Sequence, residues 1–286
     1  MTQAAQTTTT PNSSDEVRSM VSDAYAAALE KKSCCGVDQR GEAAKVSLGY
    51  SDDDLAENGD VTSFGCGNPL AFQSVEEGQT VLDLGSGAGF DLLQAAKKVG
   101  PNGKVIGVDM TDAMIEAARA NAKRYGFEQI EIRKGLIEKL PVEDASVDWV
   151  ISNCVINLSP EKDKVFAEIA RVLKPGGRFS VSDIVAEDLP EEFLNHAAAY
   201  AACVAGAIPE ETYKAGLTAA GLEDVQVTER QVYEAPEIRA IVESDLESFD
   251  IPTDAFEGLL GKLEGKVASV RVEGQKAAAC CGPSCC

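Results

Sequence analysis

The sequence predicts an α/β domain built on a mainly parallel, doubly wound sheet. Three observations point there. Short apolar runs alternate with helix-length amphipathic stretches between about residues 80 and 186. Most of those helices are bounded by Gly, Pro or an N-capping residue, and the first apolar run opens into Gly85-Ser86-Gly87-Ala88-Gly89. Strands alternating with helices at this spacing form βαβ units, whose crossovers are right-handed.

Composition bounds what such a domain can do. The chain has 286 residues, 44% hydrophobic and 26% charged, enough to bury a core. Lys and Arg total 26 against 47 Asp and Glu, a net charge of -21. That balance argues against nucleic acid, whose phosphates need a basic footprint, and against an anionic membrane surface. It favours solubility, and a salt-rich cytoplasm is one setting that would screen the self-repulsion. No apolar run approaches the roughly 18 residues of a membrane span, and the first 16 residues lack the marks of a secretory signal. The predicted location is cytoplasmic. Thiols stay reduced there, so nine cysteines need an explanation other than a disulfide framework.

Element by element, residues 1–16 read as a disordered N-terminus and 17–32 as a helix. TVLDLGS is a buried strand, GFDLLQAAKKVG a helix ended by Gly100-Pro101, and KVIGVDM the second strand. TDAMIEAARANAKRYG is a helix with Thr111 as N-cap and Gly126 as its stop. QIEIRKG and VDWVISN are the third and fourth strands. SPEKDKVFAEIARVLKPGG reads as a helix with Ser159 as N-cap, Pro160 at its first position and a Pro-Gly-Gly stop, and RFSVSDIV as the fifth strand. Beyond 186 the rhythm changes. Two helices split near Gly206–Pro209, and alternating strands at 223–234 and 267–276 extend the sheet on either side of a helical stretch at 236–265. The division expected is a core of 17–185 with an N-terminal extension carrying Cys34, Cys35 and Cys66, then a C-terminal α+β region of 186–276 carrying Cys203. A Cys-rich tail follows at 277–286.

The glycine loop is the first chemical signal. Glycines let the backbone turn tightly and approach a ligand, and ligands bind at the carboxyl ends of such strands. A dinucleotide fingerprint needs a third Gly at position 90, where this chain has Phe. Asp83 followed by Gly85, Gly87 and Gly89 instead resembles the loop of class I S-adenosylmethionine methyltransferases, which have a Rossmann-like fold. Asp109 ends the second strand, where a carboxylate can take both ribose hydroxyls. With Ser86, Met110 and Asn153 these residues form the candidate cofactor set. Leu136 and Ile137, after the third strand, are candidates to pack beside adenine, or are simply core. A purely structural βα turn and a nicotinamide enzyme are the competing readings of the loop.

The cysteines are the second signal. Cys66, Cys154 and Cys203 lie in three separate segments that could converge over one site. Three thiolates suit a soft, trigonal centre, whereas zinc wants a fourth ligand. A buried small hydrophobe is the bland reading of any one of them. His196, the only histidine, makes His-based acid–base chemistry improbable and reads better as structural than as a ligand. Cys34-Cys35 and the terminal Cys280, Cys281, Cys285 and Cys286 suggest auxiliary capture of a thiophilic ion or thiol–disulfide relay.

GVDMT (107–111), EKLP (138–141) and above all SNCVINLSPEK (152–162) resemble arsenite S-adenosylmethionine methyltransferases. GCGNP (65–69) and NHAAAYAACVAGAI (195–208) are similar to that family's cysteine segments. The resemblance covers about residues 20–276 and implies that Cys66, Cys154 and Cys203 hold trivalent arsenic. It also implies that Cys35, or Cys34, forms a disulfide with Cys66 during turnover. The expected cofactor is S-adenosyl-L-methionine, with thioredoxin or glutathione as reductant, and the acceptor is arsenite or its thiol conjugates. The chain departs from the family at Ser63-Phe64, where an aromatic hydroxyl contact is lost. The alternatives are a methyltransferase for an organic acceptor, such as a quinone or sterol-like molecule, and a non-catalytic protein that sequesters thiophilic ions. A third keeps the chemistry and changes the element to antimony.

Overall fold

The computed structural model describes residues 13–31, 61, 68, 74–189, 206–234 and 263–278. Helix α1 (Ser14–Lys31) comes first. Strand β1 (Thr80–Leu84) leads into α2 (Phe90–Val99), then β2 (Lys104–Asp109), α3 (Asp112–Tyr125) and β3 (Ile130–Lys134). Strand β4 (Val147–Asn153), a 3-10 turn (Ile156–Leu158), α4 (Lys162–Val172) and β5 (Leu173–Ala186) follow. Helix α5 (Glu210–Ala219), β6 (Leu222–Val232) and β7 (Val267–Lys276) complete the described elements.

The seven strands form one sheet in the order β3-β2-β1-β4-β5-β7-β6. Strands β1 to β5 are parallel, and β7 runs antiparallel to both β5 and β6. The two late strands therefore extend the sheet, as their alternation predicts. The chain reverses strand order between β1 and β4, which opens a cleft at the carboxyl ends of these strands.

Period-2 alternation explains why helices cover both faces. Val81, Trp149 and Ile151 face one way and join Leu92, Ala95 and Ile115 of α2 and α3. Leu82, Val150 and Phe179 face the other and join Phe166 of α4 and Tyr213 of α5. Phe166 and Tyr213 meet edge to face with centroids 5.2 Å apart. The caps match the sequence signals in place: Thr111 is the N-cap of α3, and Gly100 and Gly126 end α2 and α3 at φ 65° and 73°. Thr111 does not cap with its side chain, however. Its hydroxyl donates to Ser22 Oγ of α1 at 3.1 Å.

Three boundaries differ from the sequence reading. Helix α1 begins at Ser14, upstream of 17, with the Ser13 hydroxyl accepting the Glu16 N–H at 3.2 Å. Helix α4 begins at Lys162 with Glu161 as its N-cap, so Ser159 is not the N-cap and Pro160 is not the first helical residue. The cause is the 3-10 turn: Ser159 terminates it, and its hydroxyl accepts the Glu161 N–H at 3.1 Å. Finally, α4 ends at Val172, and Lys174–Gly177 lies inside β5. The register there jumps from Val147↔Leu173 to Trp149↔Arg178, so the Pro-Gly-Gly segment is a bulge in a strand rather than a helix stop.

Candidate functional site

The loops after β1, β2, β3 and β4 converge on one cleft. Gly85 turns the chain out of β1 at φ 63°, and a Cβ there would lie 2.2 Å from Val155 Cγ2. No larger residue fits between the loop and the turn after β4. Gly87 follows at φ 51°, and a Cβ on it would meet no atom within 4 Å. Its backbone thus faces open cleft that a side chain would occupy. Gly89 is placed elsewhere. It is the N-cap of α2 at φ 96°, and its missing Cβ would press on Ala118 Cβ of α3 at 3.3 Å, so it serves helix packing rather than the cleft wall.

Asp109, at the end of β2, is fixed by backbone. Gly87 N–H donates to Oδ2 and Thr111 N–H to Oδ1, each at 2.9 Å. A carboxylate has about four acceptor positions over its two oxygens, and a vicinal diol needs two acceptors. Burial raises the Asp109 pKa, and the N–H groups of Thr111, Gly87 and Met110 oppose that rise. Asp83 is 2% exposed. Burial first, then the charges of Asp91 and Asp109, hold its carboxyl well above the usual range. Three carboxylates around one cleft favour a cationic ligand, which would relieve their repulsion. Asn153 Nδ2 donates to Asp91 Oδ2 at 3.1 Å, linking β4 to α2. S-adenosylmethionine fits these residues: a diol for Asp109, positive charge for the acids, and backbone space at Gly87.

Of the sequence candidates, Asp83, Gly85, Ser86, Gly87, Asp109 and Met110 line this cleft, as do Leu136, Ile137, Asn153 and Cys154. Ile137 lines the cleft and belongs at once to the hydrophobic core. Cys154 caps the carboxyl end of β4. It is 4% exposed and sits at φ 61° in the left-handed region. Its N–H donates to Ser182 O of β5 at 2.8 Å. Cys154 is disulfide-bonded. It is the only cysteine among the described residues, so its partner lies outside them. Cys34, Cys35, Cys66, Cys203, His196 and the four tail cysteines all lie outside the described residues, as do Ser63 and Phe64. Among the described residues no helix is long and apolar enough to cross a membrane.

Sequence reasoning missed one wall of the cleft. Arg18, Val21 and Tyr25 of α1 line it, together with Glu138 and Ser159. The i, i+3, i+7 spacing of the three α1 residues marks a single helix face, but nothing local says what that face covers.

Comparison with known proteins agrees with this geometry. A family model described as a methyltransferase domain matches residues 75–240. The chain is 46% identical over 230 residues to the arsenite methyltransferase of Halobacterium salinarum, covering 74% of this chain and 59% of that protein. It is 40% identical over 176 residues to the arsenite methyltransferase of Aquipseudomonas alcaligenes, covering 59% of this chain and 50% of that one. The chain thus spans half to three-fifths of the length of these curated relatives. A crystal structure of an arsenic(III) S-adenosylmethionine methyltransferase from Chlamydomonas reinhardtii superposes with a TM-score of 0.61 at 32% identity, over 84% of this chain and 75% of that one. The glycine loop, the acid ending β2 and the buried cysteine ending β4 therefore sit in a class I methyltransferase fold, and the chain belongs to the arsenite S-adenosylmethionine methyltransferase family.

Proposed function

We propose that this chain transfers methyl groups from S-adenosylmethionine to trivalent arsenic held by cysteine thiolates, as an arsenic detoxification enzyme. The observation that supports this reading most is Cys154, a buried sulfur on the wall of the cleft that also holds Asp109 and the glycine loop. Its neighbours explain why it is there: the Ser182 carbonyl holds the Cys154 amide, and Gly85 leaves room for Val155.

When bound, S-adenosylmethionine supplies an electrophilic methyl on a sulfonium. The protein's residues then have separate tasks. Asp109 holds the ribose, Asp83 and Asp91 favour the positive charge, and Leu136 and Ile137 flank the adenine. Cys154 and Cys203, with Cys66, fix trivalent arsenic so that its lone pair is presented to the methyl group. Fixing geometry in this way can be worth about 7–11 kcal/mol of barrier. No general base is needed, because the nucleophile is a lone pair. Methylation raises arsenic formally to As(V). Cys35 (or Cys34) and Cys66 return two electrons as two thiolates become one disulfide, which thioredoxin or glutathione then reduces. The Cys154 disulfide must likewise be reduced before arsenic can bind there.

Product speciation tests this. Reduced protein, arsenite, S-adenosylmethionine and a thiol reductant should yield mono- or dimethylated arsenic by chromatography with elemental detection. The rate should climb with pH toward the thiol range, about 8.5 for an unperturbed cysteine. Cys154→Ser should yield no methylated arsenic while binding the cofactor as tightly as the native chain. Native turnover in that variant would refute the site, and methylation of an organic acceptor alone would replace the reading.

A further inference from the structure

We propose that Arg18 is a positioning residue of the cofactor site: it latches α1 over the cleft and thereby sets how long the cofactor stays. Helix α1 offers little apolar surface to hold it. Among its described side chains only Val17 and Val21 are buried. Tyr25 and Leu29 pack more loosely against a cluster containing Phe90, Leu93 and Met114. A helix with so narrow an apolar stripe is held weakly by packing alone.

Arg18 supplies the rest. Its Nε and Nη2 both donate to Glu138 Oε1, at 3.2 and 3.1 Å. Nη2 also donates to Glu161 Oε2 at 2.5 Å, and Nη1 to Asp15 of its own helix at 2.8 Å. The Ser159 hydroxyl donates to the same Glu138 oxygen at 2.7 Å. The Glu138 side chain is 6% exposed and that of Arg18 14%, so this is a shielded pair. One guanidinium therefore joins three pieces: α1, the segment after β3, and the segment after β4 that begins at Cys154. A planar fork of five donors serves three carboxylates here at once, which a lysine ammonium with three donors does less well.

Arg18, Glu138 and Ser159 all line the cleft. On this proposal the wall they form parts from its neighbours as the ligand leaves. Parting withdraws the cation from a carboxylate that is still shielded, which is costly. The barrier to release therefore contains the latch, and weakening the latch should appear in the dissociation rate.

The inference rests on the reading of this cleft as the cofactor site but not on arsenic as the acceptor. The experiment is rapid displacement of S-adenosylhomocysteine from the full reduced chain by excess S-adenosylmethionine, with no arsenic present. Arg18→Gln should speed dissociation about 10-fold while changing association less than about threefold. Arg18→Lys should fall between the two. Glu161→Gln, which removes the charge of the acceptor outside the cleft, should speed dissociation about two- to threefold, and it carries the test if Arg18→Gln does not fold. Hydrogen exchange should quicken in α1 and stay unchanged in β1 and β4. Dissociation rates within error of native in both Arg18→Gln and Glu161→Gln would overturn the latch. So would faster exchange throughout β1 and β4, which would mark a general loss of stability. Asp109→Ala in the same assay separates the two readings. Weakened binding there beside unchanged rates at Arg18 overturns only the latch, whereas unchanged binding there overturns the cofactor site itself.

Discussion

Cys154 carries its information in the backbone as well as in the sulfur. A non-glycine residue at φ 61° is strained, and strain of this kind is retained where a site needs it. Cys154→Gly and Cys154→Ala both remove the thiol and its disulfide, so their difference isolates the backbone. The Gly variant should be the more stable by about 1 kcal/mol, read from paired denaturant melts. Equal stability would mean that the turn after β4 relaxes freely. Asp109 makes the complementary case, a side chain whose geometry is set by two amides before any ligand arrives. Asp109→Ala should weaken S-adenosylmethionine binding by about 1.5–3 kcal/mol, roughly 10- to 100-fold, by calorimetric titration. Retained affinity would remove Asp109 from the ribose role.

At the scale of elements, the end of β5 steadies the turn that follows Cys154. Asp183 accepts the Asn157 N–H and the Tyr213 hydroxyl on Oδ2, both at 3.2 Å, and the Ile184 N–H on Oδ1 at 3.0 Å. Burial pushes its pKa up to about 7, against the Ile184 amide, the Lys162 charge, and the Tyr213 and Asn157 donors. The sign follows from the folded value lying above the unfolded one. The folded state holds more protons, so this contribution is full below about pH 4 and is lost as pH rises through 7. Asp183→Asn should therefore flatten the fall of the melting temperature between pH 4 and 8. An unchanged slope would place the pH dependence in other groups. The strand and glycine-loop signals were legible in the sequence because they are local: Asp83, the glycines and Asp109 fall within two successive strands and their turns. The start of α4 was not, because the Ser159 hydroxyl donates to Glu138 and accepts the Glu161 N–H, while the Ser159 backbone N–H closes the 3-10 turn. Arg18 was equally hidden. Its partners Glu138 and Glu161 are 120 and 143 residues away, a juxtaposition only the folded sheet creates.

The whole molecule is dominated by its charge of -21. Exposed pairs such as Lys134–Asp112, 2.7 Å apart, return little, about 0–1 kcal/mol each. Repulsion among the excess carboxylates is the larger quantity, and salt shortens its reach from about 30 Å at 0.01 M to about 3 Å at 1 M. The melting temperature should rise as KCl is raised across that range, measured by scanning calorimetry. A fall would show that attractive pairs outweigh the excess. The same sheet that gathers the site also fixes an order of events. Strand β6 precedes β7 in the chain, yet β7 lies between β5 and β6 and pairs with both. While the chain is being made, β6 emerges before the neighbour it pairs with exists, and the flank of β5 stands open as an unpaired edge. Assembly that proceeds from the N-terminus can complete the parallel half but must wait for residues 267–276 to insert as the keystone. The nascent protein is thus exposed to wrong partners until residues 267–276 have been synthesised.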